Sequence, residues 1–464
     1  MAQSIRKFLV VFGLCLMLLT CFLFGACSNV NAFKDGPKDD DIVVGNGSLA
    51  VSKGDYLYFA NGFTSYTDVK DSNNEGNITY SGLYRIKMDS QGNPESVDKT
   101  YDEDGNEVFD GSRALKNIDI LASKVVGFEY MGLYIFGNDI YYATPNNGVD
   151  KNLQTETQYI SFFKRKIDRS GKAELVYTTK AEGSKVKFSM LQIGNDVYLT
   201  VLDDQTLVVI KNGKDKREIE KVTGATFATY STSTEVVTDF NKDIYYTRAL
   251  DSEKDSQTNG NVLCKFNLIS MSAQDVFADN DSTLTLKMVG KNKLFYEKTK
   301  QSLGSSSAKL YSMEGTLNGN FVQEQQMTAN SYSNYYVLPD QERKVLVNDG
   351  SQIVIIENGT PTTVYSGSTT VMGVNGNYVY FTTSDGKIMR VNYINGGEAE
   401  TIVSEKTFVS QPNYLCITDN HLYYISTNQT NDSKYLHEVD LNADELTDYF
   451  VGVLRPEDYD TQSE

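Results

Sequence analysis

The chain has no tryptophan, two histidines, seven prolines and five cysteines in 464 residues. Two histidines leave almost no material for His-based metal sites or acid–base pairs. Three cysteines, Cys15, Cys21 and Cys27, fall in the first 27 residues, which leaves only Cys264 and Cys416 for the remainder. Positive charge is also short: 43 Lys and Arg stand against 61 Asp and Glu, a formal charge of −18. Phosphate backbones need a positive surface, so nucleic acid is excluded as a partner. There is no glycine-rich phosphate loop, no long helical periodicity, and only one long apolar run.

What is present is aromatic. With 31 Tyr and 22 Phe, and 40% hydrophobic residues, the chain has enough apolar surface for a core and is not globally disordered. Its length exceeds the usual single domain, which calls for several domains or one repetitive domain.

The apolar run gives an address. Arg6 and Lys7 precede an almost unbroken apolar stretch from Phe8 to Leu23, the pattern of an export signal. It ends in Phe24-Gly25-Ala26-Cys27-Ser28, which resembles the lipobox of bacterial lipoproteins, with Phe24 where Leu is usual. The resemblance implies cleavage before Cys27 and a lipid on its thiol. The alternatives are a plain secretory signal and an uncleaved transmembrane anchor. Residues 1–26 are therefore expected to be a lipoprotein signal peptide and 27–47 the lipidated Cys with a flexible linker, its Asp39-Asp40-Asp41 run solvated. Cleavage removes Arg6 and Lys7 and no acid, so the mature charge falls from −18 to −20. Everything after the linker is expected outside the cytoplasm, on the cell membrane through the lipid alone.

The remainder repeats. An aliphatic residue followed by two aromatic or apolar ones recurs after a short turn. It appears as Leu57-Tyr58-Phe59, Ile140-Tyr141-Tyr142, Val197-Tyr198-Leu199 and Ile244-Tyr245-Tyr246. It continues as Leu294-Phe295-Tyr296, Val345-Leu346-Val347, Val379-Tyr380-Phe381 and Leu422-Tyr423-Tyr424. The spacings are 83, 57, 47, 50, 51, 34 and 43 residues, about one four-stranded propeller blade each, with insertions. Within a unit, a strand precedes the motif, the motif is the second strand, and a third follows, as in Gly82–Ile86 or Lys387–Val391. A turn such as Asp89-Ser90-Gln91-Gly92-Asn93 or Asp168-Arg169-Ser170-Gly171 then leads to a fourth. The reading is all-β: an eight-bladed β-propeller over 48–455, seven blades being the nearest alternative, with a disordered tail at 456–464. The tyrosines are expected to pack between blades.

Asn377-Tyr378-Val379-Tyr380-Phe381, Gly386-Lys387-Ile388-Met389-Arg390 and Gly396-Gly397 resemble the bacterial propeller domain related to the YWTD propellers of low-density-lipoprotein receptors. Lipoproteins of anaerobic Gram-positive bacteria carry such domains. The resemblance covers about residues 45–450 and implies architecture rather than function. No Trp and no Asp follows the aromatic pair here, and receptor propellers have six blades.

The loops between second and third strands, Ala60 to Ser81, Ala143 to Gln158, Arg248 to Asn261, Glu297 to Ala308 and Ile425 to Lys434, are long and polar, and they share one rim. Long loops on a rigid scaffold are where binding usually resides. A basic position recurs in the third strand, at Arg85, Lys164, Lys265, Arg390 and His437, and reads as structural pairing or stacking. Asp102-Glu103-Asp104-Gly105-Asn106-Glu107 imitates a calcium loop, but its Gly falls at the fourth place and Arg113 stands where a closing Glu is needed. Cys264 and Cys416 fall in opposite units and are expected reduced and buried. No catalytic residue, metal or cofactor is expected. The functional expectation is a lipid-anchored, monomeric, non-catalytic binding or scaffold module at the cell surface, for a protein, peptide or wall-polymer partner. The alternative is a propeller lyase or hydrolase acting on envelope polysaccharide.

Overall fold

The computed structural model describes residues 32–61, 80–88, 119–126, 132–150, 155–181, 186–226 and, with short gaps, 243–450, together with two small strand pairs inside 96–115. Residues 1–26, Cys27, the Asp89–Asn93 turn, Asp102 to Asn106 and the 456–464 tail lie outside them.

Every regular element described is a strand. The strands form eight main sheets, each taken from one contiguous stretch and hydrogen-bonded in chain order. Blade 2 shows the plan: Tyr134–Phe136, Asp139–Asp150, Thr155–Lys166 and Glu174–Thr178, all antiparallel. Blade 1 starts at Ala50, and blades 3 to 8 start at Val186, Val222, Ser282, Asn334, Thr369 and Cys416. First strands of neighbouring blades touch, so they form the inner ring and fourth strands the outside. Two-residue turns join first and second strands in blades 1, 2, 3, 7 and 8, whereas blades 5 and 6 take longer ones and blade 4 puts residues 227–242, outside the described residues, between Thr226 and Asp243. Gly137 and Gly376 stand first in their two-residue turns with φ of 59° and 53°, the positive value that a II′ hairpin demands there.

The repeated motif explains closure. Side chains alternate along a strand, so the two aromatics of each pair point to opposite faces. Tyr142 packs back against blade 1 and Tyr141 forward against blade 3. Tyr246 packs back on blade 3 and Tyr245 forward on blade 5. Phe381 packs back on blade 6 and Tyr380 forward on blade 8. The aliphatic residue before each pair, such as Ile140 or Ile244, joins the backward cluster. Seven apolar clusters thus bridge successive blades, and the first also takes in Cys416, Tyr423 and Leu436 of blade 8. That contact shuts the circle. Among the described residues no strand is shared across the seam; Thr418 Oγ1 donates to Ala50 O at 2.8 Å, and side-chain packing fills the interface.

Two features differ from expectation. Blade 1 does not take its fourth strand after Asp89–Asn93; that strand is Asp119–Val126, and residues 89–118 form an excursion holding the two small strand pairs. The second half of the supposed linker is docked. Phe33 N–H donates to Asp168 O at 2.8 Å, and its ring lies 3.7 Å under the Arg85 guanidinium. Val43–Val44 pairs with the inner strand of blade 1. The Asn46 side chain imitates a peptide group, accepting from Ile135 N at 2.7 Å and donating to Ile135 O at 3.0 Å. The Asp run is exposed at Asp39 and Asp40, as expected, yet it is tied down: Asn138 donates to Asp39, Asp41 accepts from Lys38 N, and buried Lys53 donates from Nζ to Gly137 O at 2.6 Å. Burial pulls Lys53 below its ordinary pKa, and Asp39, Asp41 and Asp40 oppose that pull.

Phe381→Ala is expected to cost about 3–5 kcal/mol, read as a lower urea midpoint. Val322→Ala, at an exposed site, should change stability by less than about 0.5 kcal/mol.

Candidate functional site

The loops between second and third strands occupy one rim, with the connections between blades. Two of the expected loops are ladders. In blade 2 the pairing of Asp139–Asp150 with Thr155–Lys166 runs out to Asp150 and Thr155. In blade 5, Lys293–Ser302 and Ser305–Gly315 pair out to Ser302 and Ser305. The middle strands of these blades simply continue, in blade 2 straight through Pro145-Asn146-Asn147-Gly148, a turn signal by composition at which the chain does not turn. Blades 3, 6 and 7 keep the short turns that the sequence implies.

Charge gathers on this rim between blades 4 and 6. Arg248, ending the second strand of blade 4, donates to both oxygens of Asp255 at 2.7 and 2.9 Å and to Asp275 at 2.8 Å. Hydrogen bonds from Arg248, then from the Asp251 backbone, hold Asp255 down to about 2. The same acids raise Arg248 above its ordinary value. In blade 5, Lys298 lies between Asp279 at 2.9 Å and Glu324 at 2.6 Å, with its ammonium over Phe277 and Tyr311. Burial works against the Lys298 charge, but the two carboxylates outweigh it and its pKa rises. Burial likewise opposes the charge on Asp279, and Lys298 and the Asp281 backbone overcome it, so that acid is held low. Tyr296 hydrogen-bonds Glu324, and burial with that carboxylate drives its hydroxyl far up. Next to it, Glu297 accepts from Ser331 and Tyr335, each at 2.6 Å, and pairs with Lys287 at 2.9 Å. Burial resists the Glu297 charge, and these three partners keep it low. Asp255, Asp279 and Glu297 are thus held towards the ionised form and the Tyr296 and Tyr335 hydroxyls towards the protonated one, away from the pKa that proton transfer near neutrality needs.

The third-strand basic position is a register effect. It lies opposite the first aromatic of each pair: Arg85 opposite Tyr58, Lys164 opposite Tyr141, Lys265 opposite Tyr245, Arg390 opposite Tyr380. Each pairs with an acid of its own blade: Asp119 at 2.8 Å, Glu174 at 3.0 Å, Asp243 at 3.9 Å and Glu400 at 2.7 Å. Arg390 also lies over Tyr378. The expected structural pairing and stacking therefore hold. Lys211 of blade 3, opposite Tyr198 and paired with Asp196 at 2.7 Å, belongs to the series, and the register would have revealed it. His437 does not belong. It lies opposite Tyr424, one residue off, and stacks on that ring at 4.8 Å. The position in blade 8 is Glu438, fully buried, with His421 Nε2 3.5 Å away.

Cys264 and Cys416 are free and buried, in blades 4 and 8. Burial, with Asp275 accepting from the thiol, pushes Cys264 up to about 12. Burial raises Cys416 as well. Among the described residues no cluster of His, Cys, Asp or Glu is arranged to hold a metal, and no helix is long and apolar enough to cross a membrane.

No family model matches the sequence, and no curated protein matches it. Solved structures do. A puromycin hydrolase mutant complexed with PGG is 10% identical over 70% of this chain and 55% of its own, with a TM-score of 0.44. A prolyl endopeptidase is 13% identical over 71% and 50%, with a TM-score of 0.43. The propeller domain of the Trilobed protease from Pyrococcus furiosus, described as having an open velcro topology, is 11% identical over 69% and 96%, with a TM-score of 0.39. The chain spans about half the length of the first two. These likenesses are too distant to carry activity over to this chain. The class that the fold defines is an eight-bladed β-propeller whose sheets, among the described residues, close without a shared strand.

Asp255 has a lower pKa folded than unfolded, so its stabilising effect is present above about pH 4 and disappears as pH falls through about 2. Melting temperatures of wild type and Asp255→Asn should therefore differ most near neutrality and converge between those limits.

Proposed function

We propose that this chain is a non-catalytic binding module, held at the outer face of the cell membrane by a lipid on Cys27, which engages a partner through the rim of second-to-third-strand hairpins. The observation that carries the binding reading is the paired extension in blades 2 and 5, where ladders reaching Asp150 and Ser302 outrun the short turns of blades 3, 6 and 7. Hydrogen-bonded hairpins offer a shaped surface at lower ordering cost than free loops. The address rests on the lipobox-like Phe24–Ser28, and kinship with the YWTD-type bacterial propellers belongs to the same reading. A mature charge of −20 favours a basic protein or peptide over an anionic wall polymer.

The polysaccharide lyase or hydrolase reading draws on one observation, the cluster of Asp279, Glu324, Tyr296 and Lys298. That cluster lies between the outer strands of blades 4 and 5 rather than at the inner ring, and its charges are mutually satisfied. It serves as an interblade clamp on this account.

The test compares the mature protein with variants whose hairpins are cut back, residues 147–154 in one and 301–306 in the other. Fluorescence anisotropy with a panel of lysine-rich and arginine-rich peptides should show binding that weakens at least tenfold in one or both variants, with the melting temperature unchanged. Cleavage of envelope polysaccharide by the wild type, lost in Glu324→Gln, would overturn the binding reading in favour of catalysis.

A further inference from the structure

The docked segment fixes which way the disc faces. The turns between third and fourth strands lie on the rim opposite the hairpins, with the first-to-second-strand connections. Phe33 is fastened to this rim at Asp168, in the third-to-fourth turn of blade 2. The chain then crosses the rim inward, past Asn138 and the Gly54 turn, whose N–H donates to Ile42 O, to reach Val43–Val44 at the inner ring. Only six residue steps separate Phe33 from Cys27. At full extension they reach about 21 Å. A disc fastened at its rim by so short a lead cannot turn its opposite rim to the surface where the lead is anchored.

A second, independent feature points the same way. The large apolar side chains that stand exposed among the described residues are Ile42, Leu175, Ile269, Val322 and Ile394, between 44% and 74% exposed. Ile269 and Ile394 sit in third-to-fourth turns of blades 4 and 7. Leu175 and Val322 are second residues of fourth strands, directly after such turns in blades 2 and 5. Ile42 is in the docked segment itself. Singly exposed apolar residues are ordinary. Their shared restriction to the rim where the lead departs is not what scatter would give.

We infer that the rim of third-to-fourth-strand turns lies against the lipid bilayer, with Ile42, Ile269 and Ile394 touching its interface, so that the hairpin rim faces outward. This rests on the lipid-anchor reading above. The rim mixes Lys34, Lys38 and Lys172 with Asp35, Asp168 and the Asp39 to Asp41 run, so the contact is apolar and needs no anionic lipid.

The test uses the full chain expressed with its leader in a lipoprotein-processing Gram-positive host. Incorporation of an alkyne fatty acid, lost in Cys27→Ser, reads the anchor alone. A thiol-reactive fluorophore is then placed at Ile269→Cys or Ile394→Cys on one rim, and at Gln205→Cys or Ser351→Cys on the other. Cys264 and Cys416 are buried and stay unlabelled. Membranes doped with nitroxide-bearing phosphatidylcholine should quench the first pair several-fold more than the second, with little dependence on salt. Acylation with equal quenching, or stronger quenching at Gln205 and Ser351, overturns the orientation and leaves the anchor standing. Absence of the fatty acid overturns both.

Discussion

A sheet with two apolar faces can be hidden only between two others, and a row of such sheets ends in bare faces unless it returns on itself. This constraint organises the molecule. Each aliphatic–aromatic–aromatic motif supplies both faces at once, because neighbouring residues of a strand point opposite ways. Tyr245 and Tyr246 are adjacent in the chain yet belong to different interfaces, as are Tyr423 and Tyr424. The hardest place is the seam. Many sheets could close a circle by sharing a strand; here blades 8 and 1 meet by packing, with Cys416, Tyr423 and Leu436 filling the first cluster and Gly45 lying close to Thr418. The docked stretch from Phe33 to Ser48 then reaches from blade 1 onto blade 2 through Asn46. A Cβ at Gly45 would press within 2.8 Å of Ala50 O, so that crossing needs glycine at φ of 86°.

Polar groups follow the same geometry. A cation opposite the first tyrosine of a pair reaches an acid of its own blade, and this recurs at Arg85, Lys164, Lys211, Lys265 and Arg390. Recurrence in several blades marks a structural device, since a site would occur once. Blade 8 inverts the sign, with Glu438 beside His421 at the face turned towards the seam. The charges on the hairpin rim are more local, and they knit blade 4 to blade 5 and blade 5 to blade 6 through Lys298 and Glu297.

Most of the architecture was legible in the residues, and the reason is locality. Ile-Tyr-Tyr runs, Gly-Asn turns and spacings near 50 all act within one blade. What stayed hidden depends on distant partners. Phe33-Lys34-Asp35-Gly36-Pro37 has a linker's composition, and nothing nearby announces that Arg85 and Asp168 will hold it. The fourth strand of blade 1 begins only at Asp119, some thirty residues after its third, so the Asp89 turn does not lead to it. His437 was placed by composition rather than register, and a one-residue slip moves a strand residue to the other face. The rim hairpins read as loops because Asn, Ser and Thr are common to both.

The seam is the claim on which the rest stands, and it can be trapped covalently. Ser48 and Cys416 are hydrogen-bonding neighbours across it, 368 residues apart in the chain. In Ser48→Cys under mild oxidation, a disulfide to Cys416 should form in the native state, seen as a peptide joining positions 48 and 416 and as loss of both thiols. If both thiols remain, and Cys416 reacts freely with a thiol reagent in the folded protein, blades 1 and 8 do not meet and the closed ring is wrong.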